Sequence, residues 1–158
     1  MRLYHGSNVD IDVIDLSKGK RGKDFGQGFY LSDSYTQAYR MAELTVTKAG
    51  NGNPTVSVFE WDETKKSNLK ICSFEFYSKE WAEFIIMNRN NRSTLPMHNY
   101  DIVYGPIADD TVGVTINLFM RQLISIEELI QRLKFVEPKF QYFFATPTAI
   151  STLTKVAL

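Results

Sequence analysis

The stretch DFGQGFYLSDSYTQAYRMA, residues 24–42, constrains the fold most, because it joins a glycine-bearing loop, an aromatic strand and a helix within one short span. Gly26 and Gly28 allow a positive φ or a close approach of backbone to a ligand. Phe29, Tyr30 and Leu31 carry the aromatic bias of a strand, and Ser32 or Asp33 can cap the next element. Tyr35, Ala38, Tyr39, Met41 and Ala42 recur at helical spacing and predict a helix over 33–47. The strand is therefore backed by a helix and does not turn back as a hairpin. Taken alone, this is a strand-to-helix connection with packing aromatics; the glycines beside it also suit a binding loop.

The chain of 158 residues, 44% hydrophobic and 13% aromatic, suits one domain over 1–158 with a real core, and not a disordered segment. Eighteen basic and eighteen acidic side chains cancel, so no global field draws nucleic acid. Cys72 is the single cysteine, which excludes an internal disulfide and a cysteine-rich metal site; burial is its expected setting. MRLYHGS lacks an apolar signal core, and no apolar run is long enough to span a bilayer, so a soluble cytoplasmic protein with no membrane partner is expected.

Residues 2–5 read as a first strand ended by Gly6 and Ser7, and the alternation from Val9 to Leu16 suggests half-buried extended chain. KGKRGK, residues 18–23, is the one dense basic run and reads as a mobile loop, either solvated or in contact with phosphate. TVSVFEW, residues 55–61, alternates as a strand, and residues 69–72 read as its short partner. A helix over 78–88 starts from a Ser78 cap, with Trp81 as a core anchor and the Asn88–Arg89 end exposed to solvent or lining a cleft. His98 reads as a surface residue of the polar loop before a strand over 100–104, which stops at GPIADD. Asp109 and Asp110 either cap the next segment or act as adjacent carboxylates. Capping is favoured, since consecutive side chains on extended chain point apart.

Two helical pieces are expected between Thr115 and Leu133, the second starting at Ser125. FQYFF, residues 140–144, reads as the final strand, with Gln141 projecting from it opposite Phe140 and Tyr142, and Thr146-Pro147 opens a short C-terminal helix.

YHGS at 4–7, with GFYLS at 28–32 and a helix after it, resembles the first two signature strands of the ADP-ribosyltransferase superfamily, in particular its His-Tyr branch, which includes diphtheria toxin and the poly(ADP-ribose) polymerases. With the later WAEFIIMNR and YDIVYGPIADD segments, the whole chain further resembles a bacterial family of uncharacterised proteins assigned to that superfamily. The resemblance implies an α+β fold: a split pair of small antiparallel sheets with flanking helices, the strands of His5, Tyr30 and Gln141 meeting at one cleft. It implies NAD as cofactor, bound by His5, Gly6, Ser7, Gly28, Tyr30, Ser32 and Arg21, with Tyr30 and Gln141 as catalytic positions.

Cleaving nicotinamide from ribose creates an oxocarbenium-like centre and needs orientation more than a strong nucleophile. Tyr30 would stack on the nicotinamide, Gly6 backbone groups would fix its carboxamide, and His5 would bond a ribose hydroxyl. Gln141 stands where relatives carry a glutamate; an amide does not titrate, which implies single transfer rather than chain elongation. The helix offers Thr36, Gln37 and Tyr39 without an exact register match to the polymerases' serine and second tyrosine. The glycines do not open a helix as a Rossmann fingerprint does, which disfavours hydride transfer.

The resemblance supports three readings. One is a mono-ADP-ribosyltransferase acting on a protein or nucleic acid, a toxin or effector with a small antitoxin protein as partner. Another is a catalytically inactive nucleotide- or partner-binding module. The third is an RNA 2′-phosphotransferase, weakened by the balanced charge.

Overall fold

A computed structural model describes residues 1–157 and shows an α+β chain with two small sheets and several helices. Strands β1 (Arg2–Ser7), β3 (Thr55–Trp61) and β7 (Leu153–Val156) form an antiparallel sheet in the order β1-β3-β7. Strands β2 (Phe29–Leu31), β4 (Ile71–Ser73), β5 (Ile102–Pro106) and β6 (Phe140–Phe144) form the second, in the order β2-β6-β5-β4. The helices are α1 (Tyr35–Ala49), α2 (Lys79–Arg89), α3 (Asp110–Met120), α4 (Ile126–Leu133) and α5 (Pro147–Ile150).

Strand alternation sorts the side chains into layers. Leu3, Phe59 and Trp61 of the first sheet meet Phe29, Leu31, Ile102 and Phe144 of the second in one buried cluster between the sheets. The other face of the four-stranded sheet, with Val103 and Phe143, packs on Trp81, Ile85, Val112, Ile116, Leu129 and Leu133 of α2, α3 and α4. Helix α1 covers the outer face of β1 and β3 through Ala38 and Ala42. Trp81 is fully buried and donates its indole N–H to the Pro106 carbonyl at 3.1 Å, which makes it the expected core anchor.

Several local expectations correspond to real caps. Ser78, Asp109, Ser125 and Thr146 each accept a hydrogen bond from a first-turn N–H of their helix. Asp109 thus caps α3, and Lys139 pairs with its carboxylate at 3.2 Å. Helix α1, however, is capped by Ser34, because Ser32 is drawn into a bridge to β1 and its hydroxyl accepts the Ser34 N–H.

Long-range pairings differ more. The second sheet is mixed, since β4 runs parallel to β5 and does not pair with β3 as a hairpin. A 3-10 turn at Glu63–Asn68 makes the connection after β3 too long for a tight turn, and Asp101 then holds Lys70 through the Asp101 N–H to Lys70 carbonyl bond and the Lys70 N–H to carboxylate bond, both 2.8 Å. FQYFF is not the last strand, because β7 comes after α5 and completes the first sheet. Residues 8–15 are irregular instead of extended, and Lys155 of β7 holds Asp10 and Asp12 across them. Cys72 is half-buried, and burial raises its thiol pKa.

Candidate functional site

The edges of β1 and β2 face each other and are joined at one point only. Tyr4 N–H donates to the Ser32 carbonyl at 2.7 Å, and Ser32 N–H donates to the Tyr4 carbonyl at 2.9 Å. In an antiparallel strand alternate residues direct N–H and C=O to the same edge. Gly6 therefore presents both groups to the side where Tyr4 meets β2, and Tyr30 presents its own to the side where Ser32 meets β1. Neither Gly6 group has a backbone partner across this gap. The Tyr30 carbonyl is taken by His5, whose Nδ1–H donates to it at 2.8 Å. The sheets are thus split beyond the Tyr4–Ser32 bridge, with Gly6 N–H, Gly6 C=O and Tyr30 N–H lining the opening.

Gly6 cannot be another residue here. A Cβ would lie 2.8 Å from the Ala38 carbonyl carbon and 2.8 Å from the Ala42 nitrogen, both rigid backbone of α1. Gly28, on the far side, is also enforced by approach, since a Cβ would come within 2.7 Å of the Phe143 ring and of the Phe144 carbonyl.

The His5 ring stacks on Phe29 at 4.3 Å between centroids. Burial lowers its pKa, and the bond to the Tyr30 carbonyl opposes that shift in part. A neutral ring that donates from Nδ1 carries a lone pair on Nε2. Nε2 has no partner among the described residues, which leaves it free to accept a hydrogen bond from a hydroxyl.

Tyr30 is half-buried, with its ring 4.8 Å from Phe143 and 6.3 Å from Phe25. Its hydroxyl accepts the Phe25 N–H at 3.0 Å and donates to the Gly26 carbonyl at 2.8 Å. Burial, with Asp24 nearby, raises its pKa and keeps the phenol protonated. The phenol therefore fastens the DFGQG loop from inside. His98 fastens the same loop from outside, its Nε2–H donating to the Phe25 carbonyl at 2.7 Å while Nδ1 accepts the Tyr100 N–H at 3.2 Å. Arg89 adds an ion pair to Asp24 at 2.7 Å, with 20% and 16% of the two side chains exposed, and Gly26 turns the loop with φ 108°.

These contacts correct two expectations. His98 is half-buried and spends both nitrogens on this loop, so it is not a free surface histidine, and burial lowers its pKa. Asn88 is 1% exposed, so the end of α2 is inside the structure. Sequence reasoning missed the Asp24–Arg89 pair altogether, because 65 residues separate its members.

The remaining positions scatter. Gln141 is half-buried, lies opposite Gly105 in the ladder and shares the Tyr30 face of the sheet, two residues from the Phe143 that pairs with Tyr30. Its amide has no partner among the described residues, whereas Gln37 of α1 donates to the neighbouring Phe140 carbonyl at 2.8 Å. Ser7 contacts Asn8 at 3.4 Å, the Ser32 hydroxyl serves the start of α1, and exposed Arg21 reaches Gln27 at 3.4 Å.

Two open clefts lie elsewhere. One, of about 560 Å³, is lined by Ile86, Phe119, Met120 and Leu123; the other, of about 640 Å³, lies between Phe76–Glu80 and Ile130–Pro138. Neither is lined by His5, Tyr30 or Gln141, and the first holds no titratable side chain. The convergent backbone groups are at the split.

Fold and site define an α+β protein of two small sheets with a partly unpaired seam between them. Over residues 1–154 the chain matches the model of a family described as a protein of unknown function (DUF3990), and it belongs to that family. No curated protein and no solved structure matches it. Among the described residues no helix is long and apolar enough to cross a membrane.

Proposed function

We propose that this protein is an NAD-dependent mono-ADP-ribosyltransferase acting on a protein or nucleic acid, as a toxin or effector restrained by a small antitoxin protein. The observation that carries the reading is the open Gly6 edge beside His5. A carboxamide offers one C=O and one N–H in a single plane, the complement of the Gly6 N–H and C=O. The α1 backbone pressed against Gly6 leaves that edge rigid, so little entropy is lost on binding there.

NAD, when bound, supplies the ADP-ribosyl group together with nicotinamide as its leaving group. The chain's own part is to orient. Gly6 fixes the amide, His5 Nε2 accepts a hydrogen bond from a ribose hydroxyl, and Gln141 offers a hydrogen bond without being able to remove a proton. Transfer then depends on an acceptor that arrives ionised or brings its own base, which accords with one transfer per site. The test is incubation of the protein with NAD labelled in the adenylate and, separately, in the nicotinamide, with fractionated lysate. Nicotinamide release with label moving to a macromolecule supports the proposal; neither event, with any antitoxin removed, overturns it.

A second reading is a silent binding module of the same fold. It is favoured by the non-titrating Gln141 and by a Tyr30 hydroxyl already engaged with the DFGQG loop. NAD binding without nicotinamide release would select it.

A further inference from the structure

The four-stranded sheet carries an aromatic surface on the face opposite Gln141. Tyr142 and Tyr104 are direct partners across β6 and β5, with ring centroids 4.6 Å apart, and Phe140 stacks on Tyr104 at 5.0 Å and 12°. All three are half-buried, so their rings are covered on one side and open on the other.

A carboxylate follows each of the two outer strands. Leu31, the last residue of β2, pairs with Tyr142, and Ser73, the last of β4, pairs with Tyr104; Asp33 and Glu75 come two residues beyond those ends, one on each side of the β6–β5 pair. Both acids are exposed, and neither makes a hydrogen bond or ion pair with a described residue. Their charges also raise the Tyr104 pKa, after the larger effect of burial.

Next to it the buried Trp61, its ring centroid 5.8 Å from that of Tyr142, already carries a cation: the Lys66 ammonium lies 4.6 Å from its ring centroid, with Glu63 as the partner of that lysine. Among the described residues no cation lies over Tyr104, Phe140 or Tyr142.

We propose that the aromatic face of Tyr104, Phe140 and Tyr142, flanked by Asp33 and Glu75, binds an arginine side chain of a partner protein. A guanidinium stacks flat on aromatic rings while its edge donates to carboxylates, and it sheds water more readily than an ammonium. Two acids at the flanks favour a basic polypeptide and repel a nucleic-acid backbone. The rings stand on β5 and β6, whereas the Gly6 groups open on the seam between β1 and β2, so the two sites use different residues.

The test is calorimetric titration of the full chain with a blocked tetra-arginine peptide, with tetra-lysine and a single-stranded oligonucleotide as competitors. Arginine peptide is expected to bind more tightly than lysine peptide, and to weaken at least about fivefold in Asp33→Asn/Glu75→Gln with an unchanged melting temperature. Tyr104→Leu, which keeps an apolar floor, is expected to weaken it further. Equal binding to the Asp33/Glu75 variant, lysine binding as tight as arginine, or displacement by the oligonucleotide would overturn the proposal. Loss of arginine binding with intact nicotinamide release would count against this site alone.

Discussion

Replacing Tyr30 with phenylalanine isolates the work of one hydroxyl. The ring stays on Phe143 and Phe25, while the Phe25 N–H loses its acceptor and the Gly26 carbonyl loses its donor. Phe25 is fully buried, so its N–H has little access to water as a substitute. Leaving a buried group unpaired costs about 1–3 kcal/mol. For a domain of this size that lowers Tm by roughly 3–10 °C. The fold should survive, because Asp24–Arg89 and His98 still hold the loop from the other side. Hydrogen exchange gives the sharper assay, with the Phe25 amide losing protection while Val103 and Phe143 in the sheet keep theirs. An unchanged Tm together with an unchanged Phe25 amide would refute the assignment of this hydroxyl as the fastener of the loop.

Gly6→Ala should destabilise by about 1–3 kcal/mol, at the upper end because the clash is with helix backbone; a thermal melt indistinguishable from wild type would refute the close approach. Acidification should weaken the fold from about pH 6.5 downward. His5 and His98 both have lowered pKa values in the folded state, so the unfolded chain binds more protons and stability is complete only above the unfolded histidine value. Urea midpoints that stay level from about pH 7.5 to 5 would contradict this. Gln141→Glu should change the unfolding free energy by less than about 1 kcal/mol and speed nicotinamide release through a carboxylate at the ribose; a slower release would remove Gln141 from the site.

What the sequence disclosed was local. Thr146-Pro147, Ser125 and Ser78 announce helix starts because a cap acts within one turn, and FQYFF announces its own strand because alternation needs no partner. The partners of strands are a different matter. Ile71–Ser73 lies close behind β3 in sequence, and its parallel pairing with β5, fastened at its start by the Lys70–Asp101 contacts, assigns it to the other sheet. LTKV of β7 is short and carries a lysine, so its alternation was overshadowed by the helix before it. In the candidate site, His5, Gly6 and Tyr30 are legible as a set through their motifs, and the structure brings them to one seam. The fastening of the loop by His98 and Arg89 was not, since it depends on α2 and the loop after it folding back onto Asp24 and Phe25.

The most direct measurement of the central claim is an amide NMR titration of the full chain with NAD, nicotinamide and nicotinic acid. The Gly6 and Tyr30 amides should shift and saturate together with NAD and with nicotinamide. Nicotinic acid should be ineffective, since its carboxylate has no N–H for the Gly6 carbonyl. Shifts that gather instead around Phe119–Ser125 or Phe76–Glu80, or no saturable shift with NAD at all, would contradict the account.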